Sequence, residues 1–144
     1  MVTTYAFLDS GSDVTLVRRG FLERHYFASK TFNISITTLS GPTSCKELGS
    51  TLNIYPLSGG ECVAVDGALV IDELPMRAPA SLNREASKWP HLRDLCFAEL
   101  PDTVIDILIG LDVLEAHWSL ECRLGDKRQP SAFSSILGWV MSGP

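Results

Sequence analysis

The sequence predicts an all-β fold, closed or sandwiched, with one or two short helices. Two observations point to it. The apolar runs are short and rich in β-branched and aromatic residues. Turn chemistry interrupts them about every 8–12 residues, a spacing typical of sandwiches and barrels.

Val2 to Leu8 reads as the first strand, and Asp9 to Asp13 as a turn. Val14 to Val17 is a second short apolar run leading away from that turn. Arg18 to Ala28 mixes charges with Phe21, Leu22 and Phe27 and suits one or two helical turns. Phe32 to Thr38 alternates apolar and polar residues, as a half-buried strand does. Ser40-Gly41-Pro42-Thr43-Ser44 then breaks the pattern, and a further strand is expected over Gly49 to Tyr55, giving a hairpin with a Gly-Pro tip. Gly59-Gly60 marks the next turn and Glu61 to Ile71 the next strand. Pro75 to Pro90 is irregular, with a short helix expected near Ser81 to Ser87. Trp89-Pro90-His91-Leu92 anchors the chain back on the body. Val104 to Ile109 is a buried strand ending at Gly110. Leu111, Leu114 and Trp118 fall on one helical face. Trp118 to Leu124 and Ser135 to Ser142 complete the strands.

The 144 residues suit one domain with a core that needs no disulfide staples. Hydrophobic residues are 45% and charged residues 20%, the balance of a folded chain rather than a disordered one. Net charge is −5, which argues against a nucleic-acid-binding face. Cys45, Cys62, Cys96 and Cys122 form no C-x-x-C pair, and their wide gaps suit four free, buried thiols in a reducing compartment. No signal peptide is legible, and no apolar run approaches the roughly 20 residues that span a membrane. The expected setting is intracellular and cytoplasmic, with no membrane partner. The chain begins almost inside a strand and stops straight after another, as a single domain over residues 1–144 cut from a longer polypeptide would.

Asp9-Ser10-Gly11 is the candidate catalytic turn. A hydrophobic strand, Tyr5-Ala6-Phe7-Leu8, delivers Asp9 into it. Peptide hydrolysis by paired carboxylates needs one ionised group to take a proton from water and one neutral group to hydrogen-bond the scissile carbonyl. Two carboxyls about 3 Å apart share a proton because both cannot ionise cheaply. This chain supplies one such turn, so a second copy must supply the other. An ordinary Asp-Ser-Gly turn at a strand end is the plain alternative. Ile107-Leu108-Ile109-Gly110 is the second element: a strand whose Gly allows close approach of another backbone segment. Ser40-Gly41-Pro42 is the third, a hairpin suited to cover a site, or else an ordinary surface hairpin.

Taken together, Phe7-Leu8-Asp9-Ser10-Gly11-Ser12, Ser40-Gly41, Trp89-Pro90-His91-Leu92, Ile105 to Gly110 with Asp112, and Leu137-Gly138-Trp139-Val140-Met141-Ser142-Gly143-Pro144 resemble the retropepsin-like aspartic protease domain of BEL/Pao-type retrotransposon polyproteins. The resemblance implies a closed β-barrel of the acid protease fold, active as a homodimer that cleaves its own polyprotein, virus-like particles being one setting. It makes Asp9 catalytic, with Ser10, Gly11 and Ser12 building the active-site turn. Asp13, Leu39, Ser40, Gly41, Pro42 and Ile107 become substrate-binding positions for an extended peptide. No metal or organic cofactor is implied. Many retropepsins place Arg-Asn or Arg-Asp after the Gly, the Arg bracing an active-site Asp; here Leu111-Asp112 follows Gly110 and that brace is missing. Trp139 is large enough to anchor a dimer strand or to fill the core. The alternative function is a catalytically silent dimerisation or peptide-binding module of the same fold.

His25, His91 and His117 lack a nearby nucleophile motif and suit structural roles. Asp102, Asp106 and Asp112 flank the buried strand without the spacing of a calcium loop, which suits capping or surface roles.

Overall fold

The computed structural model describes residues 2–38 and 41–143; the side chains of residues 31–38 and 41–47 are not described. The protein is mostly β, with two short α-helices and one 3-10 turn. Among the described residues, nine strands form two sheets. Six make a mixed sheet in the order β1-β6-β2-β5-β4-β3, from β1 (Tyr5–Leu8), β2 (Leu16–Arg18), β3 (Lys30–Thr38), β4 (Gly41–Ile54), β5 (Val63–Ile71) and β6 (Ile105–Ile109). The other three, β7 (Glu121–Arg123), β8 (Ser131–Ser135) and β9 (Gly138–Ser142), form an antiparallel meander. In the described pairing the large sheet is open, with β1 and β3 at its edges.

β6 organises the large sheet. All five of its residues are buried, as expected for a strand covered on both faces. It pairs in parallel with β1, Leu8 opposite Ile109, and antiparallel with β2, Leu16 opposite Leu108. β1 and β2 therefore straddle β6, although only the Asp9 turn joins them. That turn has to cross the carboxyl end of β6, where Gly110 stands.

One face of the sheet buries Val17, Leu52, Val63, Val65, Ile107 and Ile109 against Phe21 and Leu22 of α1 (Arg19–Arg24) and against Val113 and Ala116. A second cluster gathers Leu74, Ile105 and Leu108 with Tyr5, Leu16, Ile71 and Met76. A third packs Ala86 of α2 (Leu82–Ser87) with Leu92, Leu95 and Phe97 onto Ala132, Trp139 and Met141 of the small sheet. The expected anchoring by the Trp89–Leu92 segment is thus observed, with Leu92 fully buried.

Four expectations need correction. Ser135 to Ser142 is a hairpin rather than one strand: β8 and β9 meet at Ser135 and Gly138, and Gly138 takes the left-handed φ of 123° that ends the run. Gly41 to Ser44 belongs to β4, paired with Thr38 through Ser35, so the strand is longer than Gly49 to Tyr55. Residues before Gly49 pair only with β3, and this stretch is a two-stranded ribbon beyond the sheet, where Pro42 costs no ladder bond to a third strand. Leu111, Leu114 and Trp118 do not pack inward: they are exposed, while Val113 and Ala116 are buried, because the segment is one 3-10 turn (Leu114–His117) rather than an α-helix. Finally, the thiols of Cys62, Cys96 and Cys122 are free but exposed.

Candidate active site

Asp9 follows β1 directly, and its amide donates to the Ile109 carbonyl at 3.0 Å, continuing the β1–β6 ladder by one rung. The chain then turns: the Ser12 amide donates to the Asp9 carbonyl at 3.2 Å. The Gly11 amide donates to Asp9 Oδ1 at 2.9 Å, and a Cβ at position 11 would sit 3.2 Å from that oxygen. Asp9 is half-buried, and Oδ2 has no hydrogen-bond partner among the described residues. The carboxylate is therefore held by one oxygen and open at the other.

Ser12 closes the turn. Its hydroxyl donates to the Val14 carbonyl at 2.7 Å, and the Val14 amide returns at 3.4 Å. Ser10, expected to brace the turn, is exposed and makes no such bond among the described residues. Asp13 is exposed beside them.

Gly110 is the seat on which the turn rests. A Cβ there would fall 2.4 Å from the Val14 carbonyl oxygen and 2.8 Å from that of Ser12, both backbone atoms. The Leu111 amide donates to the Ser12 carbonyl at 2.8 Å. Only a residue without a side chain allows this approach, the close backbone contact expected of this glycine.

Asp112 supplies the brace. Its two oxygens accept from Thr15, Oδ2 from the amide at 3.1 Å and Oδ1 from the hydroxyl at 2.7 Å. Thr15 Oγ1 in turn accepts from the Gly110 amide at 3.1 Å, and the Thr15 carbonyl accepts from Leu69. Thr15 is wholly buried and every polar group it carries is engaged. Asp112, two residues after Gly110, thus holds the chain that leaves the Asp9 turn, through Thr15. Sequence reasoning missed this pair. Its only trace is a polar residue in the apolar run Val14 to Val17.

His117 Nε2 lies 3.0 Å from the Gly110 carbonyl and must donate to it, which fixes the proton on that nitrogen. His91 similarly meets the Pro130 carbonyl at 2.8 Å, and His25 packs edge-on against Phe21. All three histidines serve structure. Asp102 caps the Val104 amide at 3.1 Å. Asp106 is buried, not superficial: Arg18 donates to its Oδ1 from Nε and Nη2 at 2.9 and 2.7 Å, and Thr4 bonds its Oδ2. This clasp ties the approach to β1 and the end of β2 to β6, so it steadies both strands that carry the turn.

Of the expected substrate-binding positions, Gly41 and Pro42 lie in the β3–β4 ribbon, and Leu39 and Ser40 fall outside the described residues. Ile107 is buried in the core between Ala6 and Val17, so its side chain supports the strand rather than lining an open surface. Trp139 packs with the third cluster, and the Arg123 guanidinium lies 5.4 Å from its ring. Two depressions bordered by described residues are lined by other segments, and neither includes Asp9. The Asp9 turn lies at the surface, with Asp9 half-buried and Ser10, Gly11 and Asp13 exposed. Among the described residues no group of three or more His, Cys, Asp or Glu is gathered in metal-binding geometry, and no helix is long and apolar enough to cross a membrane.

No family model, curated protein or solved structure matches this chain.

Proposed function

We propose that this chain is a retropepsin-like aspartic endopeptidase, active as a homodimer with one catalytic carboxyl per subunit. The observation that carries the reading is the Asp9 turn itself: strapped across the end of β6 on Gly110, clamped by Asp112 through Thr15, and left with one carboxylate oxygen that has no partner among the described residues. So much fixed backbone around one open oxygen is the preorganisation that general acid–base chemistry uses.

In the dimer the two Asp9 carboxyls meet at the two-fold axis and share one proton. The ionised one draws a proton from water as it attacks the peptide carbonyl, and the neutral one donates to that carbonyl oxygen. The Gly11 amide holds each Asp9 in register. Ser10, exposed beside it, is placed to bond across the axis. The substrate lies extended, hydrogen-bonded along its backbone by Asp13 and covered by the β3–β4 ribbon around Gly41. On this reading the mostly-β fold is of the acid protease type, and the substrate is a retrotransposon polyprotein of the BEL/Pao type, processed in the cytoplasm or within particles.

The test is incubation of the purified chain with a stretch of such a polyprotein across pH. Cleavage with a bell-shaped profile peaking in mild acid, blocked by a statine-type inhibitor and abolished in Asp9→Asn, is the expected result. Cleavage that persists in Asp9→Asn, or none from the intact chain under any of these conditions, overturns the reading; the latter is what a silent module would give.

A further inference from the structure

The peptide unit between Gly110 and Leu111 is held at both ends. Its amide, that of Leu111, donates to the Ser12 carbonyl at 2.8 Å. Its carbonyl, that of Gly110, lies in the same plane and points the opposite way, as in any trans unit. There it accepts from His117 Nε2 at 3.0 Å and from the Val113 amide at 3.2 Å. A rotation of the plane that breaks one end therefore breaks the other. Such a hold matters here because a glycine places no side chain to restrict the unit that follows it. The His117 ring is well placed to supply it. It is half-buried, and it rides on the 3-10 turn, which Val113 and Ala116 anchor in the core. A carbonyl can only accept, so Nε2 carries the proton; an imidazolium carries one there too, and the donor is present in both states of the ring.

We propose that His117 is a positioning residue of the Asp9 turn. Its Nε2 proton sets the Gly110–Leu111 plane, and the Leu111 amide sets the Ser12 carbonyl. The Ser12 amide in turn holds the Asp9 carbonyl at 3.2 Å, so the ring acts on the carboxyl through three successive hydrogen bonds. His117 touches no substrate and transfers no proton. Its effect on cleavage rests on the reading of Asp9 as catalytic; its effect on the turn does not.

The test compares His117→Phe, His117→Asn and His117→Gln in the full chain. Phe keeps a ring without a donor, the Asn amide stops short of the Gly110 carbonyl, and the Gln amide reaches about as far as Nε2. Amide hydrogen exchange read by NMR reports the turn directly. The Leu111 amide should exchange about fivefold faster in the Phe and Asn variants, the loss of one ordinary hydrogen bond, and should recover in the Gln variant. The amides of β5, a strand paired on both sides, should keep their wild-type rates in all three. The second readout is cleavage of a fluorogenic peptide copied from a polyprotein site that the wild-type chain cuts. There kcat should fall about tenfold in the Phe and Asn variants, with KM within about twofold, and recover with Gln. Wild-type Leu111 exchange or wild-type kcat in the Phe and Asn variants, no recovery with Gln, or an equal loss of protection throughout β5 would overturn the proposal. A wild-type chain that cuts no peptide, with Leu111 exchange responding as stated, would overturn the protease reading while upholding the hold of His117 on the turn.

Discussion

Gly110 has no side chain because two carbonyls already occupy the space a Cβ would need. Substituting alanine cannot be relieved by rotating a neighbouring side chain, since the atoms in the way are backbone. Gly110→Ala is expected to cost about 1–3 kcal/mol in thermal or denaturant unfolding, the usual cost of overpacking. Displacement of the turn should reduce cleavage further, by on the order of 100-fold. A variant of full stability and full activity would show that the turn does not need this seat. Asp9 and Gly110 were legible in the sequence because each is announced locally, by an apolar strand running into turn chemistry. Thr15 and Asp112 were not, since their bond joins residues far apart in the chain and neither has a distinctive neighbour. Asp106 was misjudged for the same reason: its partners Arg18 and Thr4 come from other segments.

Among the elements, those defined by alternation or by caps were readable. Strand β5 alternates inside and outside, and α2 begins where Ser81 caps it, its hydroxyl accepting from the Arg84 amide at 3.1 Å. The 3-10 turn was not readable. The apolar spacing of Leu111, Leu114 and Trp118 matches an α-helix, but one tight turn presents different residues to the core. The β8–β9 hairpin was merged into a single strand because Ile136 and Leu137 carry the apolar run across the turn. Helix α2 also carries a pH dependence. Glu99 accepts from the Ser81 hydroxyl at 2.6 Å and from the Asn83 amide at 3.2 Å, and these bonds hold its carboxyl below the usual range. A depressed carboxyl contributes stability above its ordinary titration range and loses it as pH falls through the lowered value. Glu99→Gln should therefore lower stability at neutral pH and meet the wild type in acid, below the lowered value, so that the acid limb of a stability-versus-pH curve flattens. An identical acid limb in the variant would remove Glu99 from that account.

At the scale of the whole molecule, the proposed chemistry requires two copies of the chain. The large sheet carries the Asp9 turn from its edge strand β1 across the end of β6, one carboxylate oxygen has no partner among the described residues, and neither bordered depression includes Asp9. The mostly-β class was legible because strand length and turn spacing are local properties. The sheet order was not, since β6 inserts between β1 and β2 from far along the chain. A site built from two copies has a dose dependence that a one-chain site lacks. The most direct measurement is cleavage of one peptide substrate by unfolded, mixed and refolded wild-type and Asp9→Asn chains at fixed total concentration. If each site draws a carboxyl from both subunits, activity falls as the square of the wild-type fraction, to about one quarter at equal mixing. A linear fall, to about one half, would mean that a single chain carries the whole site and would contradict the shared-carboxyl mechanism.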